Sequence, residues 1–583
     1  MQKIEPAIVE SQPRERIRAT LIDGRVLEGP VGTTTGEFLR AAQEYAAPLM
    51  GAICDGELRE LSYPLERDAT VHPVLLSNSD GGRIYRRSLV LLLATAADEL
   101  WPGCKISVRY AVPDGGFYCK RMDAAPFTAA ELEALENHMR EIVQEDDPIT
   151  KRIATAEEAS ALFANRQDFD KVRLLEQRHR PDLTLYTLRG RDDYYFGYMV
   201  PSTRYLQYFR LIEVEDGFIL QYPRKETPTD LKALSPYDKL TKVFHQADNW
   251  LHRLEVPDIG TLNRVVQDDD QVHELVLIAE ALHEQNIANI AEDICERQRE
   301  GVRLILIAGP SSSGKTTFAK RLAIQMLTHG LRPFTLELDN YFVDRAKTPR
   351  DTDGNLDFEA LEAVQLPLFN RQLLQLIAGE EVQLPRFNFL TGESEPGRIV
   401  QLLENQVIIV EGIHGLNPRL VPDIPPEKVY RVYVSALTQL NIDIHNRVPT
   451  TDVRLLRRIV RDAEHRGYSA IQTLQRWSSV RRGEKSNIFP FQENADSMFN
   501  SALVYELAAL RPLAEPLLLQ VPPRTPEHIE AKRLLAFLRW VRPMQDHHLD
   551  YVPDTSLLRE FVGSSSLQEY HPGALLRPKE LRL

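Results

Sequence analysis

The amino-acid sequence predicts a multidomain chain with a small β-rich domain, an α+β domain and an α/β domain whose sheet is mainly parallel. At 583 residues the chain is too long for a single hydrophobic core. Short strand-like runs separated by turns fill residues 17–75. From about residue 260, helical segments alternate with short apolar runs, a pattern typical of parallel sheets covered by helices.

The first predicted domain covers residues 15–78. Its dipeptides Asp23-Gly24 and Asp55-Gly56 are hairpin signals, because they favour the tight turns that join antiparallel strands. The second predicted domain covers residues 79–225 and mixes both kinds of element. Its predicted elements are a helix at 89–100, a strand at 105–111, a helix at 129–144 and strands after residue 184.

A polar segment with several prolines, residues 222–237, divides the chain, and we expect a linker over 226–259. The α/β domain is expected over 260–550 and a C-terminal tail over 551–583. A long helix is predicted at 272–299. The predicted strands of the α/β domain are residues 304–307, 334–338, 407–410, 429–434, 503–507 and 517–521.

Composition narrows the classes of function. Hydrophobic residues make up 43% of the chain and charged residues 26%, as in soluble globular proteins. A net charge of −14 argues against a general nucleic-acid binder. The four cysteines form no C-x-x-C pair for zinc or redox chemistry. The sequence has no apolar run of membrane-spanning length and no signal-peptide pattern, so we expect a cytoplasmic protein without membrane contact.

The most informative motif is LILIAGPSSSGKTTFA, residues 304–319. It satisfies the phosphate-loop pattern G-x-x-x-x-G-K-[ST] between a strand-like run and a helix-like run. Backbone N–H groups of such a P-loop wrap a polyphosphate, and the helix dipole favours the same anion. Lys315 would reach the β- and γ-phosphates, and Thr316 would hold Mg²⁺. The predicted nucleotide-binding residues are Gly309, Pro310, Ser311, Ser312, Ser313, Gly314, Lys315, Thr316 and Thr317.

Two acidic residues follow neighbouring predicted strands. Ligands of an open α/β sheet bind beyond the carboxyl ends of its strands, where Asp339 and Glu411 fall. Asp339 would take the proton of an attacking hydroxyl, and Glu411 would bind Mg²⁺ directly or through water. An isolated carboxylate at such a position is more often a helix cap or a turn residue. The P-loop in the same sheet favours the functional interpretation.

Four arginines, Arg454, Arg457, Arg458 and Arg461, share one face of a predicted helix at spacing i, i+3, i+4 and i+7. A basic face of this kind is usually solvated. Beside a P-loop it also fits a lid whose guanidinium groups stabilise the transferring phosphoryl group. The spacing alone leaves both interpretations open.

Residues from about 300 to 525 resemble the uridine kinase and phosphoribulokinase group of P-loop kinases. The matching segments are GPSSSGKTT at 309–317, LDNYF at 338–342, NLD at 355–357, LPRFNF at 384–389, VIIVEGI at 407–413 and RLLRRIVRDAEHRG at 454–467. This resemblance implies an ATP- and Mg²⁺-dependent kinase that phosphorylates a hydroxyl of a nucleoside-like acceptor.

The resemblance also implies roles for single residues. Asp339 matches the proposed general base, and Asp357 matches the residue that binds the ribose hydroxyls. Arg458 matches the arginine that reaches the nucleoside. The implied catalytic residues are Asp339, Lys315 and the lid arginines Arg457 and Arg461. The implied substrate-binding residues are Tyr341, Asp357, Phe387, Phe389 and Arg458, and the implied metal ligands are Thr316 and Glu411.

Three positions depart from the family pattern. A histidine that contacts the pyrimidine falls on Gly392, and an arginine and a glutamine of the substrate side fall on Tyr468 and Arg476. A site that reads a base by hydrogen bonds discriminates strongly only when those partners are present. We therefore expect a hydroxyl kinase, with another small hydroxyl substrate of the phosphoribulokinase group as the alternative to a nucleoside.

Residues 15–225 resemble the N-terminal region of threonyl-tRNA synthetases, a TGS-like domain followed by an editing domain. The matching segments are IDGRVLEGPVGTT at 22–34, DGELREL at 55–61, IYRRS at 84–88, DGGFY at 114–118 and VPSTRYLQYFRL at 200–211. The synthetase's His-x-x-x-His and Cys-x-x-x-His pairs fall on Arg87, Leu91, Tyr195 and Met199. None of these four can act as a metal ligand or general base at neutral pH. The resemblance thus implies a retained fold without deacylase chemistry, which binds RNA, a nucleotide or another protein, or packs against the kinase region.

Two further classes of function remain open. A GTPase or ATPase switch has a D-x-x-G string at 351–354 in its favour, but the sequence has no N-K-x-D for guanine. An RNA-associated module could use the P-loop as a nucleotide sensor. The sequence does not indicate an oligomeric state.

Overall fold

The computed structural model describes residues 14–122, 124–178, 180–350, 354, 356–388, 391–403, 405–438 and 440–572. These residues form two compact units. The N-terminal unit consists of the chain up to Ser235 together with Ile444–Asn446 and Pro522–Arg533. The C-terminal unit consists of Pro236–Asp443, Arg447–Val521 and the chain from Leu534.

The strands are β1 (Arg16–Leu21), β2 (Val26–Pro30), β3 (Leu49–Cys54), β4 (Glu57–Arg59), β5 (Ala69–Leu75), β6 (Ile106–Val112), β7 (Gly116–Arg121), β8 (Thr150–Thr155), β9 (Asp182–Leu188), β10 (Arg191–Tyr194), β11 (Arg210–Val214), β12 (Gly217–Gln221), β13 (Leu304–Ala308), β14 (Arg332–Glu337), β15 (Val382–Asn388), β16 (Glu393–Val400), β17 (Gln406–Glu411), β18 (Val429–Ser435) and β19 (Ser497–Asn500). The helices are α1 (Thr35–Ala42), α2 (Ser79–Leu100), α3 (Ala129–Glu145), α4 (Ala156–Asn165), α5 (Phe169–Glu176), α6 (Asp238–Arg253), α7 (Ile259–Val265), α8 (Asp269–Arg299), α9 (Lys315–Thr328), α10 (Leu366–Ile377), α11 (Thr450–Arg466), α12 (Ala470–Asn487), α13 (Glu506–Leu519), α14 (Pro526–Leu538) and α15 (Arg559–Val562).

The first sheet of the N-terminal unit has the strand order β2-β1-β5-β3-β4. Both predicted hairpins are present: Gly24 has a φ of +84° between β1 and β2, and Gly56 has a φ of +80° between β3 and β4. Helix α1 begins at a capping box in which Thr34 and Glu37 satisfy each other's backbone N–H groups. It buries Phe38 against this sheet. The predicted β-rich domain is therefore present.

The rest of the N-terminal unit has the predicted α+β composition. Strands β11-β12-β7-β6 and β10-β9-β8 form two antiparallel sheets. Helix α2 buries an almost continuous apolar run from Leu89 to Ala97 in the core that these elements share. A helix with so wide an apolar surface is typical of a central element.

The C-terminal unit contains the predicted parallel sheet, in the order β14-β17-β13-β18-β19. The first four predicted strands are confirmed, but the strands predicted at 503–507 and 517–521 are wrong. Helix α13 covers parts of both segments, and the fifth strand is the short β19. Short apolar runs do not distinguish a buried strand from a buried helix, and Pro512 and Pro516 inside α13 obscure its helical pattern.

The segment 226–259, for which we expect a linker, contains helix α6. In the described part of the expected tail 551–583, helix α15 follows a 3₁₀ turn. Every helix among the described residues is too short or too polar to span a lipid bilayer.

Candidate active site

The P-loop connects the carboxyl end of β13 to the first turn of α9. Gly309 is required for packing, because a Cβ atom there would lie 1.9 Å from the carbonyl oxygen of Val434. Ser312 and Gly314 have φ angles of +59° and +84°. Left-handed residues alternating in a loop turn successive N–H groups towards one point, which makes an anion-binding concavity.

Two further features of the loop fit a polyphosphate. The hydroxyl groups of Ser312 and Ser313 are buried and have no hydrogen-bond partner among the described residues. The first N–H groups of a helix such as α9 also lack intrahelical acceptors. A bound phosphate chain would satisfy both sets of donors.

The residues predicted to hold Mg²⁺ meet at the end of β17. Thr316 Oγ1 donates a hydrogen bond to Glu411 Oε1 over 3.1 Å. Burial raises the pKa of Glu411, while Lys315 acts in the opposite direction. A hydroxyl and a carboxylate oxygen in contact are ligands that Mg²⁺ prefers, together with phosphate oxygens and water. The two side chains therefore fit a Mg²⁺ ion bound beside the phosphate chain.

Asp339 lies in the 3₁₀ turn that follows β14. Strand β14 pairs in parallel with β17, with Glu337 opposite Glu411, so Asp339 and Glu411 lie at the same edge of the sheet. Asp339 is exposed to solvent, yet desolvation by the surrounding protein raises its pKa against the field of Lys315. Lys315 thus acts electrostatically on both Asp339 and Glu411. The structure brings these three predicted residues together.

Helix α11 does not present a solvated basic face. Arg454 is buried, donates to the carbonyl oxygen of Ser311 over 3.0 Å and pairs with Glu484, with Nη2 and Oε2 3.0 Å apart. Glu484 also accepts the N–H of Ser311 over 3.0 Å. Arg454 and Glu484 therefore fix both polar groups of one P-loop peptide unit.

Arg457 is also buried. Its Nε donates to Glu506 Oε2 over 2.7 Å, and its Nη1 donates to the carbonyl oxygen of Ser312 over 3.4 Å. Arg458 Nη1 donates to Ser311 Oγ over 2.6 Å, and Arg461 contacts Asp462. Three of the four arginines therefore contact the P-loop itself.

The residues predicted to bind the acceptor are placed unevenly. Asp357 lies near the cleft, where its Oδ1 accepts the N–H of Glu359 over 3.0 Å. Tyr341 has no exposed surface and packs edge-on against Phe369 in the core. Phe387 is buried against Phe342. Phe389 lies outside the described residues, as do residues 351–353 of the D-x-x-G string.

The positions that depart from the family pattern have clear structural surroundings. Gly392 has a φ of +78°, and a Cβ atom there would lie 2.8 Å from the side chain of Arg345. A histidine would not fit without movement. The Arg476 guanidinium lies 4.3 Å from the ring centroid of Tyr468, so two of the three departures contact each other.

The sequence does not reveal three acidic residues of this region. Burial and the charge of Glu484 raise the pKa of Glu359 to about 6, with Arg458 and Lys315 opposing. Glu560 accepts hydrogen bonds from Thr317. Each of these carboxylates is more than 25 residues from its partner in sequence, so no local pattern could have identified them.

A second group of ligand-type side chains lies away from the P-loop. Asp269, His547 and His548 have their nitrogen and oxygen atoms within 4.8 Å of one another. His548 Nδ1 accepts the N–H of Gln545, so Nε2 carries the proton that it donates to Asp269 over 2.8 Å. A metal at this Nε2 would need its lone pair. The group therefore fits a hydrogen-bonded cluster better than a metal site.

The positions that match the synthetase editing ligands lie inside the N-terminal unit. Leu91, Tyr195 and Met199 are buried in its hydrophobic core. Arg87 donates to the carbonyl oxygen of Tyr198 over 2.6 Å, and burial lowers its pKa to about 10. Among the described residues, no metal-type group of side chains occurs at these positions.

A buried charge network lies beside them. Asp193 is fully buried, accepts from Lys171, and has its Oδ2 3.0 Å from His445 Nδ1. Although burial opposes ionisation, the charges of Lys171 and His445 hold the pKa of Asp193 well below its ordinary value.

Comparisons with known proteins agree with this division of the chain. Residues 304–507 match the Phosphoribulokinase / Uridine kinase family. The N-terminal region is similar to threonine–tRNA ligases. The Desulforamulus reducens enzyme is 31% identical over 204 residues, 35% of this chain and 32% of that protein. The Burkholderia lata enzyme is 34% identical over 174 residues, 30% of this chain and 27% of that protein. The chain thus spans about a third of the length of these relatives.

Two solved structures overlap the chain. One, described as "Possible Uridine Kinase" from Bacillus stearothermophilus, is 20% identical, with a TM-score of 0.26, and covers 37% of this chain and 97% of its own. The other, D-glycerate 3-kinase from Cryptococcus neoformans, is 15% identical, with a TM-score of 0.27, and covers 36% of this chain and 89% of its own.

The P-loop, the parallel sheet and the family match coincide in the C-terminal unit. Residues 304–507 therefore form a P-loop kinase domain of the phosphoribulokinase and uridine kinase family, joined in one chain to a region similar to threonine–tRNA ligases.

Proposed function

We propose that the chain transfers the γ-phosphoryl group of ATP to a hydroxyl of an uncharged, nucleoside-like acceptor in a Mg²⁺-dependent, in-line reaction. The observation that carries this proposal is the placement of Asp339, Lys315 and Glu411 at one end of the parallel sheet, beside the P-loop. Transfer to an alcohol needs a base, a phosphate seat and a metal ligand within one cleft.

Each residue has a role that its position permits. The P-loop N–H groups and Lys315 hold the phosphates. Thr316 and Glu411 hold Mg²⁺, which neutralises charge on the phosphate oxygens. Asp339 accepts the proton of the attacking hydroxyl, and the raised pKa of its carboxyl makes it a better base than an ordinary aspartate. Arg458 and Arg461 are the arginines of α11 that are closest to solvent and available to the transferring group.

The charge of the cleft supports an uncharged acceptor. Asp339, Asp357 and Glu359 are carboxyl groups on the side expected to receive the acceptor. Two of the arginines that could offset them, Arg454 and Arg457, are already engaged by Glu484 and Glu506. Carboxylates accept hydrogen bonds from hydroxyl groups but repel phosphate or carboxylate groups. A nucleoside or another neutral polyol therefore suits the cleft better than a sugar phosphate or a hydroxy acid.

A transfer screen tests the proposal. Full-length protein with ATP and Mg²⁺ would be offered matched neutral and anionic acceptors: uridine and cytidine with their 5′-monophosphates, ribose with ribose 5-phosphate, and glycerol with glycerate. We expect phosphorylation of a neutral member only. A Lys315→Ala variant should lose it. ATP or GTP hydrolysis without transfer to any acceptor would favour a nucleotide switch instead.

For the N-terminal region we propose binding of RNA or a nucleotide without tRNA hydrolysis. Its similarity to threonine–tRNA ligases supports this proposal. Filter binding of tRNA at several salt concentrations would test it, because phosphate contacts weaken steeply with salt. We retain as proposals the domain boundaries 15–78, 79–225, 226–259, 260–550 and 551–583.

A further inference from the structure

The chain's own C-terminal segment packs on the nucleotide side of the P-loop. We call residues 556–568, which include α15, the strap. Leu557 lies directly on Gly314, where a Cβ atom would come within 2.4 Å of Leu557 Cδ2. On the next turn of α9, the carboxylate of Glu560 accepts two hydrogen bonds from Thr317. Its Oε2 lies 3.3 Å from the backbone nitrogen and 2.8 Å from Oγ1.

The strap is anchored on both sides of Glu560. Before it, Ser556 Oγ donates to Glu280 Oε1 on α8 over 2.5 Å. After it, Lys320 Nζ donates to the carbonyl oxygens of Leu567 and Gln568 over 2.6 and 2.8 Å. The Phe561 ring centroid lies 4.9 Å from the Arg457 guanidinium carbon. Glu560 is thus held against α9 by contacts that do not involve its carboxylate.

The acceptor position that Glu560 fills belongs to phosphate in proteins of this kind. P-loop N–H groups at the start of the following helix cradle the α- and β-phosphates. Thr317 N–H, in the first turn of α9, is one of these donors. The Glu560 carboxylate carries the same sign of charge and uses the same donor geometry as a phosphate oxygen. A nucleotide phosphate and this carboxylate cannot both occupy that position.

We propose that Glu560 is an internal competitor of the nucleotide's α-phosphate, so that the strap lowers nucleotide affinity and must be displaced from Thr317 when the nucleotide binds. The inference rests on the proposed nucleotide site but not on the identity of the acceptor. Glu560 thereby determines the affinity and regulation of this site.

Binding measurements on the full-length protein test the proposal. Fluorescent ATP and ADP analogues with Mg²⁺ would be titrated into wild type, Glu560→Gln and Glu560→Ala. We expect both variants to bind about tenfold more tightly, because a tenfold change corresponds to removal of one modest competing interaction. Glu569→Gln is the matched control: this exposed carboxylate near Lys320 has the same charge but does not contact Thr317. It should bind like wild type.

The results separate this inference from the proposed function. Unchanged or weaker binding by folded Glu560→Gln, with a wild-type melting profile, overturns the competition. If Lys315→Ala binds as well as wild type, the P-loop is not the nucleotide site and the proposed function fails with it. Tighter binding by Glu560→Gln without transfer to any acceptor would support the inference while contradicting the kinase assignment.

Hydrogen exchange provides a second measurement. With saturating ATP and Mg²⁺, amides of the strap should exchange faster in the wild type, because displacement opens α15. The same peptides in Glu560→Gln should already exchange faster without nucleotide. Slower exchange on nucleotide addition would mean that the strap closes over the nucleotide rather than competing with it, and would overturn the proposal.

Discussion

Arg457 and Glu506 form an ion pair from which solvent is excluded, with Nε and Oε2 2.7 Å apart and side chains 0% and 2% exposed. Arg457 also donates to the carbonyl oxygens of Ser312 and Ser501. One guanidinium group therefore connects the P-loop, α11 and the segment after β19. The arginine most deeply placed on α11 positions the loop, whichever other arginines reach the substrate.

Arg457→Met should destabilise the C-terminal unit by about 3 to 5 kcal/mol, because it leaves the Glu506 carboxylate buried without its partner. Urea unfolding, followed through the transition that ATP shifts, measures the loss. The double variant Arg457→Met with Glu506→Leu should recover most of it. Arg419→Met, which breaks an exposed pair with Glu362, should cost less than about 1 kcal/mol. Equal effects of the two single variants would contradict this account.

Asp339→Asn should reduce the transfer rate by about 10² to 10⁴-fold, since it removes the proposed base without changing the size of the side chain. Nucleotide affinity should change little because Asp339 donates to no P-loop group. The kcat of transfer and the Kd of an ATP analogue provide the two readouts. Glu337→Gln, two residues earlier and exposed, is the matched control. Parallel loss of binding and transfer in Asp339→Asn would refute the base assignment.

The parts of the site that the sequence predicts are those encoded by neighbouring residues. The P-loop lies in one segment, and Asp339 and Glu411 directly follow apolar strands, so strand order and the common carboxyl edge bring them together. The surroundings of Arg454 and Arg457 are different. Their partners Glu484 and Glu506 are 30 and 49 residues away. A helical spacing of arginines reveals a shared face but not what covers it.

The same distinction explains the error in the sheet. Strands with four or more apolar residues in sequence, such as β17 and β18, are recognised from that run. Strand β19 has only four residues, Ser497–Asn500, and half of them are polar. Its position is determined by pairing with β18, a tertiary contact. Leu503 and Leu507, by contrast, are apolar because the core around α13 buries them.

Glu411→Gln should raise the Mg²⁺ concentration needed for half-maximal transfer by about tenfold or more, because one negatively charged ligand is lost. EDTA should abolish transfer by the wild type, and excess Mg²⁺ should restore it. Glu427→Gln, an exposed change of the same kind in the loop before β18, should leave the Mg²⁺ dependence unaltered. A Mg²⁺ titration at fixed ATP measures both variants. An unchanged midpoint in Glu411→Gln would remove this residue from the metal site.

Glu359 predicts a pH-dependent stability. Burial raises the pKa of its carboxyl in the folded chain to about 6 from a reference of 4.5, so ionisation is penalised only when the chain is folded. The stability is fully present below the reference pKa and is lost as the pH rises through about 6. Glu359→Gln should therefore stabilise the ATP-shifted transition by about 2 kcal/mol at pH 8 and by less than about 1 kcal/mol at pH 5.

Glu362→Gln is the matched control for this measurement. The hydrogen bond from the Arg419 side chain lowers the pKa of Glu362, so the sign of its pH dependence should be opposite. Denaturant midpoints at the two pH values, taken for both variants and the wild type, are sufficient. Stabilisation by Glu359→Gln that is equal at pH 5 and pH 8 would show that the charge of Glu359 is not the cause.

The full-length protein should not hydrolyse seryl-tRNA or threonyl-tRNA above the spontaneous rate. Deacylation needs a base or a metal-activated water, whereas Leu91, Tyr195 and Met199 are buried in a hydrophobic core and Arg87 stays protonated at neutral pH even though burial lowers its pKa to about 10. Release of labelled amino acid from tRNA, with a threonine–tRNA ligase as positive control, measures it. If hydrolysis occurred and Asp193→Asn abolished it, the network of Asp193, Lys171 and His445 would have to be the catalytic group. Its exclusion from solvent argues against that, because neither water nor an ester could reach a carboxylate with no exposed surface.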